Sequence, residues 1–207
     1  YMLLDRSPNG KAFFKEVIEH HISGQLKIAP EHIDPAVLRY MGKPGVEVYE
    51  RFRQKYAAAN ARHGKEQYLV PYFISSHPGG DLRAAIELAQ YMRKEGIRPE
   101  QVQDFYPTPG TRSTAMFFSH YDPEDMGPIF VPKNPREKRW QRALLQSFRR
   151  ENAPIVREAL READREDLIG YGREALVVPE GRPMPRNESW RKKESSSVQK
   201  AKGMKKA

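Results

Sequence analysis

The feature of this sequence that most constrains its fold is a pattern that occurs three times: an apolar run, a polar corner with Pro or Gly, and a helix-forming stretch. The corners are KIAPEHID (27–34), FISSHPGGD (73–81) and DFYPTPGT (104–111). Strands that alternate with helices in this way are typical of parallel βαβ units. We therefore predict an α/β fold in which strands near Leu26, Val70 and Val102 are parallel neighbours.

The residues that flank the helix-forming stretches support this order. Asp34 and Asp81 are predicted N-caps, because their side chains can accept from free N–H groups of a first helical turn. Gly42 and Gly64 are expected to end the two helices that precede the second strand. After Thr111 the pattern changes to a Pro-rich segment and then to helices predicted at 135–148 and 153–163.

The positive charge is concentrated at the C-terminal end. The formal net charge is +9, and residues 182–207 contain nine Lys/Arg against two Glu, so the remainder carries about +2. Clustered cations bind polyanions by releasing counterions, which assigns any weak RNA binding mainly to this tail. Residues from 179 onward have few large apolar side chains, and we predict that they are disordered.

A second basic stretch, PREKRWQRALLQSFRR (135–150), places cations beside aromatic residues. One interpretation is contact with RNA. The other is an amphipathic helix that buries Trp140, Leu144, Leu145 and Phe148 beneath a solvated basic face, and this interpretation is favoured.

Composition excludes several classes of site. The chain has no cysteine, which rules out disulfides, thiolate metal ligands and cysteine nucleophiles within it. No apolar run approaches the roughly 20 residues that span a bilayer, and no signal peptide is evident, so we expect a cytoplasmic protein without a membrane partner. The start, YMLLDRSPNG, is typical of the end of an earlier element, and we expect a fragment of a longer protein.

The three corners define the candidate site. In a parallel sheet or barrel the carboxyl ends of the strands meet at one rim, where ligands bind. The rim residues that this predicts are Glu31, His32, Ser75, Ser76, His77, Gly79 and Tyr106. A carboxylate can accept from ribose hydroxyls, small hydroxyls and backbone amides can bind a carboxylate, and a tyrosine can stack on a base. For any single corner a plain connection between a strand and a helix is the favoured interpretation, and it is the three corners together that indicate a ligand site.

Two histidines of this rim are candidates for proton transfer. His32 and His77 follow neighbouring strands, and an imidazole beside a substrate can act as a general acid or base. The alternative is that both are ordinary solvated turn residues.

Five blocks of the sequence occur in the order found in one protein family. They are GQLKIAPEHIDPAVLRYMGKPG, QYLVPYFISSHPGGDL, EQVQDFYPTPGTRSTAMFF, VPKNPREKRWQRALLQ and REDLIGYG. From about Ile22 to Gly172 the chain resembles the C-terminal half of the YgiQ family of radical S-adenosylmethionine proteins. The resemblance implies that the three strands are the fourth, fifth and sixth of a partial, TIM-barrel-like (β/α)6 barrel. The domains would be the barrel part (1–111), a mostly helical extension (112–178) and the tail (179–207).

The resemblance also implies cofactors. In such proteins a Cys-x3-Cys-x2-Cys loop early in the barrel holds a [4Fe-4S] cluster, which cleaves S-adenosylmethionine to a 5′-deoxyadenosyl radical. This chain has no cysteine, so the cluster ligands are expected outside it, in an N-terminal half that would be its partner. The substrate remains unknown, because a resemblance to the family specifies the cofactor chemistry and not the molecule attacked.

By resemblance, each corner faces one part of S-adenosylmethionine. Glu31 would face the ribose, residues 75–79 the methionine portion, and residues 106–110, beginning with Tyr106, the adenine. Lys43 would meet the methionine carboxylate, with an ordinary solvated lysine as the alternative. The alternative function is a non-enzymatic module that binds RNA or another polyanion through its basic helix and tail.

Overall fold

The computed structural model describes residues 2–181 of the chain. The predicted disorder and polyanion binding of the tail fall on residues that lie almost entirely outside this range. The described part is mixed α and β, with short 3-10 turns at Met2–Leu4, Arg150–Asn152 and Glu166–Leu168. In chain order its helices and strands are α1 (Pro8–His20), β1 (Gln25–Glu31), α2 (Pro35–Tyr40), α3 (Val46–His63), β2 (Tyr68–Ser75), α4 (Leu82–Glu95), β3 (Gln103–Asp104), α5 (Arg112–Ser119), α6 (Pro135–Leu145) and α7 (Ala153–Glu162).

The three strands form a parallel arrangement in the order β1-β2-β3. Leu26 lies opposite Leu69, and Ile74 lies opposite Gln103. The prediction of three parallel neighbours is therefore confirmed, although β3 has only two residues and begins just after Val102.

The predicted helix ends are also confirmed. The Asp34 carboxylate accepts from the N–H groups of Ala36 and Val37, and that of Asp81 accepts from the N–H of Ala84. Gly64 follows α3 with a φ of +60°, a left-handed conformation that favours glycine.

The predicted helix over 135–148 is wrong at its C-terminal end. The helix stops at Leu145, and Phe148 is 43% exposed instead of buried. After Leu145 the N–H groups of Gln146 and Ser147 donate to the carbonyls three residues earlier, Ala143 and Leu144, so the α-helix tightens into turns there. Trp140, Leu144 and Leu145 are buried as the amphipathic interpretation requires.

The helices pack against one face of the sheet. Leu26 and Ile28 of β1 and Leu69 of β2 contact the apolar side chains of α1 and α3. Phe73, four residues after Leu69 and hence on the same face of the strand, packs with Leu88 of α4 and Leu145 of α6. The face of the sheet that carries these residues therefore forms one side of the hydrophobic core.

The opposite face of the sheet is open in the described part of the chain. Tyr68 and Tyr72 project from it and are 65% and 37% exposed. Val70 and Ile74 lie on the same face as these two tyrosines, because residues two apart in a strand point the same way. Neither belongs to any of the three apolar clusters found among residues 2–181. Within residues 2–181, helices therefore cover one face of the sheet, whereas the tyrosines of the other face are accessible to solvent.

The extension after Thr111 joins the same core. Ile86 and Ala89 of α4 pack with Leu144 of α6 and Leu160 of α7, all of them buried. No helix within residues 2–181 is both long and apolar enough to cross a membrane.

The packing of α6 generates the first testable prediction. Leu144→Ala removes a side chain that is fully buried between α4 and α7, and we expect the free energy of unfolding to fall by about 2–5 kcal/mol. Phe148→Ala, in the same stretch of sequence, should lower it by less than about 1 kcal/mol because that ring is largely solvated. Urea denaturation monitored by circular dichroism measures both, and equal losses would contradict the observed end of α6.

Candidate functional site

The three corners lie at one rim of the sheet. Glu31 is in register with Phe73, two residues before the end of β2, and Ser75 is in register with Asp104 of β3. The Ser75 hydroxyl donates to the Asp104 carboxylate, which ties the second corner to the third. Parallel strands thus bring together at one edge residues that are far apart in sequence, as predicted.

The structure pairs two of the predicted residues with each other. Lys43 Nζ lies 3.3 Å from Glu31 Oε1 and donates to the carbonyl of Ala29 at 2.8 Å. Both side chains are about one quarter exposed, so solvent still reaches the ion pair. Lys43 is therefore a partner of Glu31 at the first corner and not an isolated surface lysine. The pair presents adjacent positive and negative groups to a ligand.

The backbone donors of the second corner are largely engaged. The N–H of Ser76 donates to Gln141 Oε1 at 2.9 Å, and the N–H of Gly79 donates to the carbonyl of Phe130 at 2.7 Å. The N–H of Gly80 donates to the carbonyl of His77 at 2.9 Å. The expectation that these amides are free for a ligand is corrected by the C-terminal extension, whose Gln141 and Phe130 supply the acceptors.

The side chain of Ser76 is different. Its hydroxyl is buried without a hydrogen-bond partner among the described residues, and the residue as a whole is 2% exposed. Ser76 also has a φ of +62°, and Glu31 at the end of the neighbouring strand has a φ of +66°. Left-handed backbone at a non-glycine residue costs about 1–2 kcal/mol, and such strain concentrates at functional sites.

His32 and His77 are buried and not the solvated turn residues of the alternative interpretation. They are 5% and 4% exposed. Burial lowers the pKa of each to about 4, and for His32 the nearby charge of His77 adds to this while Asp34 and Asp81 oppose it. Both imidazoles are consequently neutral at physiological pH.

Hydrogen bonds define how the two imidazoles are held. His77 Nδ1 donates to the carbonyl of Pro78 at 2.7 Å, which leaves Nε2 to accept from the Ser113 hydroxyl at 2.8 Å. His32 Nδ1 accepts from the N–H of Asp34 at 3.0 Å. The imidazole of His77 is thus fixed by partners on both ring nitrogens, and the imidazole of His32 accepts a hydrogen bond at the start of α2.

Gly79 has a packing role. Its φ is +88°, and a Cβ there would overlap the ring of Tyr40 on α2. Only glycine fits between this corner and that ring.

Tyr106 stands apart from the other predicted residues. It is 78% exposed, the largest exposed fraction among the described large apolar residues. The hydroxyls of Thr111 and Thr114 at the same corner bond to the carbonyl of Thr108, so they stabilise the start of α5. The structure brings the first two corners together closely, whereas the Tyr106 side chain points to solvent.

A buried carboxylate that the sequence did not single out connects α2 to α5. Asp122 is 1% exposed and accepts from Arg39 and Arg112, each at 2.8 Å. The backbone N–H of Glu124, together with the two guanidinium groups, holds the pKa of this carboxyl below its ordinary value. Asp122 therefore fixes the helices that follow the first and third corners relative to each other.

Gln141 and Ser113 were also missed by the sequence reasoning, although one signal was present. Gln141 is a polar residue on the apolar stripe of α6, three and four residues before Leu144 and Leu145. A polar side chain at such a position must find partners, because burying an unpaired amide is unfavourable. No such signal in the sequence identifies Ser113. Among residues 2–181 no group of three or more His, Cys, Asp or Glu is placed to hold a metal ion.

Comparison of the sequence with known proteins identifies the family of this chain. Residues 100–207 match the family model described as "Domain of unknown function (DUF3362)". This chain belongs to that family. Over 177 residues it is 54% identical to a UPF0313 protein of Clostridium botulinum (strain Okra / Type B1) and 51% identical to one of Clostridium perfringens (strain SM101 / Type A).

These alignments cover 86% of this chain but only 27% and 26% of the two relatives. The chain thus spans about a quarter of the length of the curated relatives it matches. No solved structure matches the sequence.

The buried histidines predict a pH dependence. The unfolded chain binds protons with the ordinary pKa of 6.5 and the folded chain only near 4, so stability is full above pH 6.5 and is lost as pH falls toward 4. At pH 5 the loss should be roughly 2 kcal/mol for each histidine. Urea denaturation at pH 7.5 and pH 5 measures it.

The matched variants replace His32 and His77 with Asn, which keeps a polar atom near Nδ1 but does not titrate. The double variant should lose less stability on acidification than the wild type. His20→Asn, at an exposed histidine on α1, should leave the dependence unchanged. An identical acid slope in the double variant and the wild type would show that other groups cause it.

A further prediction concerns the residue that holds the second corner. Gln141 bonds both the N–H of Ser76 and the carbonyl of Gly80, each at 2.9 Å, so Gln141→Leu leaves two buried backbone groups unpartnered. We expect unfolding free energy to fall by about 2–4 kcal/mol. Gln101→Leu, at an exposed position, is the control in the same denaturation assay. A loss no larger than that of the control would mean that other groups hold the corner.

Proposed function

We propose that this chain forms the later βα units of a partial barrel in a radical S-adenosylmethionine enzyme, and that its rim binds S-adenosylmethionine. The observation that carries the proposal is the one-sided sheet. Within residues 2–181, α1, α3, α4 and α6 pack on one face of the sequential parallel strands, and the tyrosines of the other face are exposed. The three corners lie at one end of this sheet. A part of a barrel wall that lacks the other strands of the barrel has these features.

The relatives support the same proposal by their length. The chain corresponds to about a quarter of the UPF0313 proteins to which it is similar, which leaves ample sequence for the strands that would complete a barrel. In their absence the edge of β1 that faces away from β2 exposes unpaired backbone groups. We propose that the N-terminal half occupies this edge and closes over the inner face.

The residues of this chain fit S-adenosylmethionine but not the [4Fe-4S] cluster. A [4Fe-4S] cluster requires thiolate ligands, and the chain has no cysteine, so its ligands would belong to the N-terminal half. S-adenosylmethionine offers ribose hydroxyls, an ammonium group and a carboxylate. Glu31 suits the hydroxyls, Lys43 suits the carboxylate, and the unpartnered Ser76 hydroxyl suits either of the amino acid groups.

Bound together, a reduced cluster and S-adenosylmethionine supply radical chemistry. The residues of this chain bind and orient the cofactor. The strained Glu31 and Ser76 backbones direct their side chains at the ends of adjacent strands, and the neutral His32 and His77 add no charge beside them. Preorganised groups of this kind orient a ligand without reorganising when it binds.

The proposal predicts a loss of cofactor affinity in a conservative variant. Glu31→Gln keeps the shape of the side chain and removes the charge that accepts from ribose hydroxyls, so S-adenosylmethionine should bind about tenfold or more weakly. Ser76→Ala should weaken binding by a smaller factor. Binding is measured by anaerobic titration calorimetry of the full-length protein with its cluster reconstituted, and 5′-deoxyadenosine formation is measured in parallel.

Glu66→Gln removes an equal charge from an exposed residue before β2 and is the matched control. If Glu31→Gln and Ser76→Ala both bind S-adenosylmethionine as the control does, the corners are connections between strands and helices. The alternative function, an RNA-binding module based on the basic helix, receives little support from α6. Its Arg136 and Arg142 are paired with Glu158 and Asp104, both acidic residues of this chain.

A further inference from the structure

A row of aromatic rings leads from the buried second corner to the protein surface. The imidazole of His77 meets the ring of Phe105 edge-on at 5.1 Å between centroids, and Phe105 lies 5.7 Å from Phe117. Phe117 in turn meets Phe118 edge-on at 5.2 Å. Phe118 is 68% exposed, so the row ends in a ring that is open to solvent beside the third corner.

Two lysines flank the middle of this row. Lys133 Nζ is 5.0 Å and Lys138 Nζ is 5.6 Å from the centroid of Phe117. Neither lysine has an Asp or Glu within ion-pair distance among residues 2–181, whereas Arg136 and Arg142 on α6 do. Lys133 instead donates to His120 Nε2 at 2.7 Å. Positive charge is therefore available next to an exposed aromatic edge.

The exposed ring also lines a cleft. Phe118 lines an open depression of about 510 Å³, and the other lining residues are Gly110, Thr111, Arg112, Thr114, Ala115 and Pro123. The depression adjoins the third corner, so a ligand that stacks on the Phe118 ring would lie beside the rim.

Exposed apolar side chains are concentrated in this region. Ten large apolar residues of the described chain are exposed, and half of them belong to residues 106–130. They are Tyr106, Phe118, Tyr121, Met126 and Phe130. Singly exposed apolar residues are common on protein surfaces, but five of ten within 25 residues make this segment the candidate for a binding surface.

We propose that Phe105, Phe117, Phe118, Lys133 and Lys138, the aromatic-lysine surface, bind single-stranded nucleic acid. Base faces stack on exposed aromatic rings, and lysines neutralise the phosphates between successive bases. A duplex hides its base faces and cannot use the exposed ring in this way. A protein partner would also cover the rings, but the lysines without acidic partners favour a polyanion.

The same placement suggests a substrate class. The aromatic row ends at His77, on the rim where we place S-adenosylmethionine, so a strand bound on the aromatic-lysine surface would present a nucleotide to that rim. This step rests on the proposed function, whereas nucleic-acid binding by the surface does not. The substrate of the proposed enzyme would then be a nucleotide within a single strand.

Binding is tested with the whole 207-residue chain, basic tail included, and a labelled single strand of about eight nucleotides as RNA and as DNA. Fluorescence anisotropy is recorded across a range of salt concentrations. Phe118→Ala should weaken binding of the single strand about tenfold and leave the weaker binding of a duplex unchanged. Lys133→Gln with Lys138→Gln should weaken binding and make the slope of log K against log salt shallower by roughly 0.7 for each phosphate that is no longer neutralised.

The control variants remove an aromatic ring and a lysine charge at positions outside the aromatic-lysine surface. Tyr171→Ala removes a ring that is 49% exposed, and Lys94→Gln removes an exposed charge at the end of α4. Variants that bind single strands as these controls do would overturn the proposal and assign all binding to the tail. Because the assay needs no cluster or S-adenosylmethionine, its result is independent of the test of the proposed function.

Discussion

The packing of α6 is the interaction on which the rest of the structure depends. Its apolar stripe joins two clusters, with Leu144 between α4 and α7 and Leu145 against Phe73 of the sheet. The same stripe includes Gln141, whose amide bonds the N–H of Ser76 and the carbonyl of Gly80. One helix therefore supplies much of the core and also sets the shape of the second corner. A change in how α6 packs would be transmitted to the rim.

Strained backbone at the rim is compatible with folding because its surroundings oppose relaxation. Ser76 is held by Gln141, and Glu31 is held by its ion pair with Lys43. The buried hydrogen bond to Ser76 contributes about 0.5–1.5 kcal/mol, which is comparable to the 1–2 kcal/mol that left-handed backbone costs at a non-glycine residue. The rim is consequently a set of groups fixed before any ligand arrives, which is the condition for binding with little loss of conformational entropy.

The open face of the sheet and the rim are two aspects of one architecture. Helices cover one face of the sheet, and the other face exposes Tyr68 and Tyr72 while the strand ends carry charged and polar groups. Relatives that are about three times as long contain enough additional sequence to cover that face. The aromatic row from His77 to Phe118 extends the rim outward along α5. In the two proposals above, cofactor and nucleic-acid strand meet at His77 of the second corner, and each is held by different residues.

The sequence by itself determined the order of strands and helices, the N-caps at Asp34 and Asp81, and the rim, because these follow from local hydrophobic pattern and from the geometry of parallel strands. It did not determine the end of α6, where backbone N–H groups bond to carbonyls three residues earlier and the helix gives way to turns. Nor did it show that Gln141 and Phe130 occupy the amides of the second corner, or that His32 and His77 are buried and neutral. Those features arise from contacts between residues up to 65 positions apart. Only the tertiary structure decides which distant groups meet, since a local pattern specifies that a face is apolar but not what packs upon it.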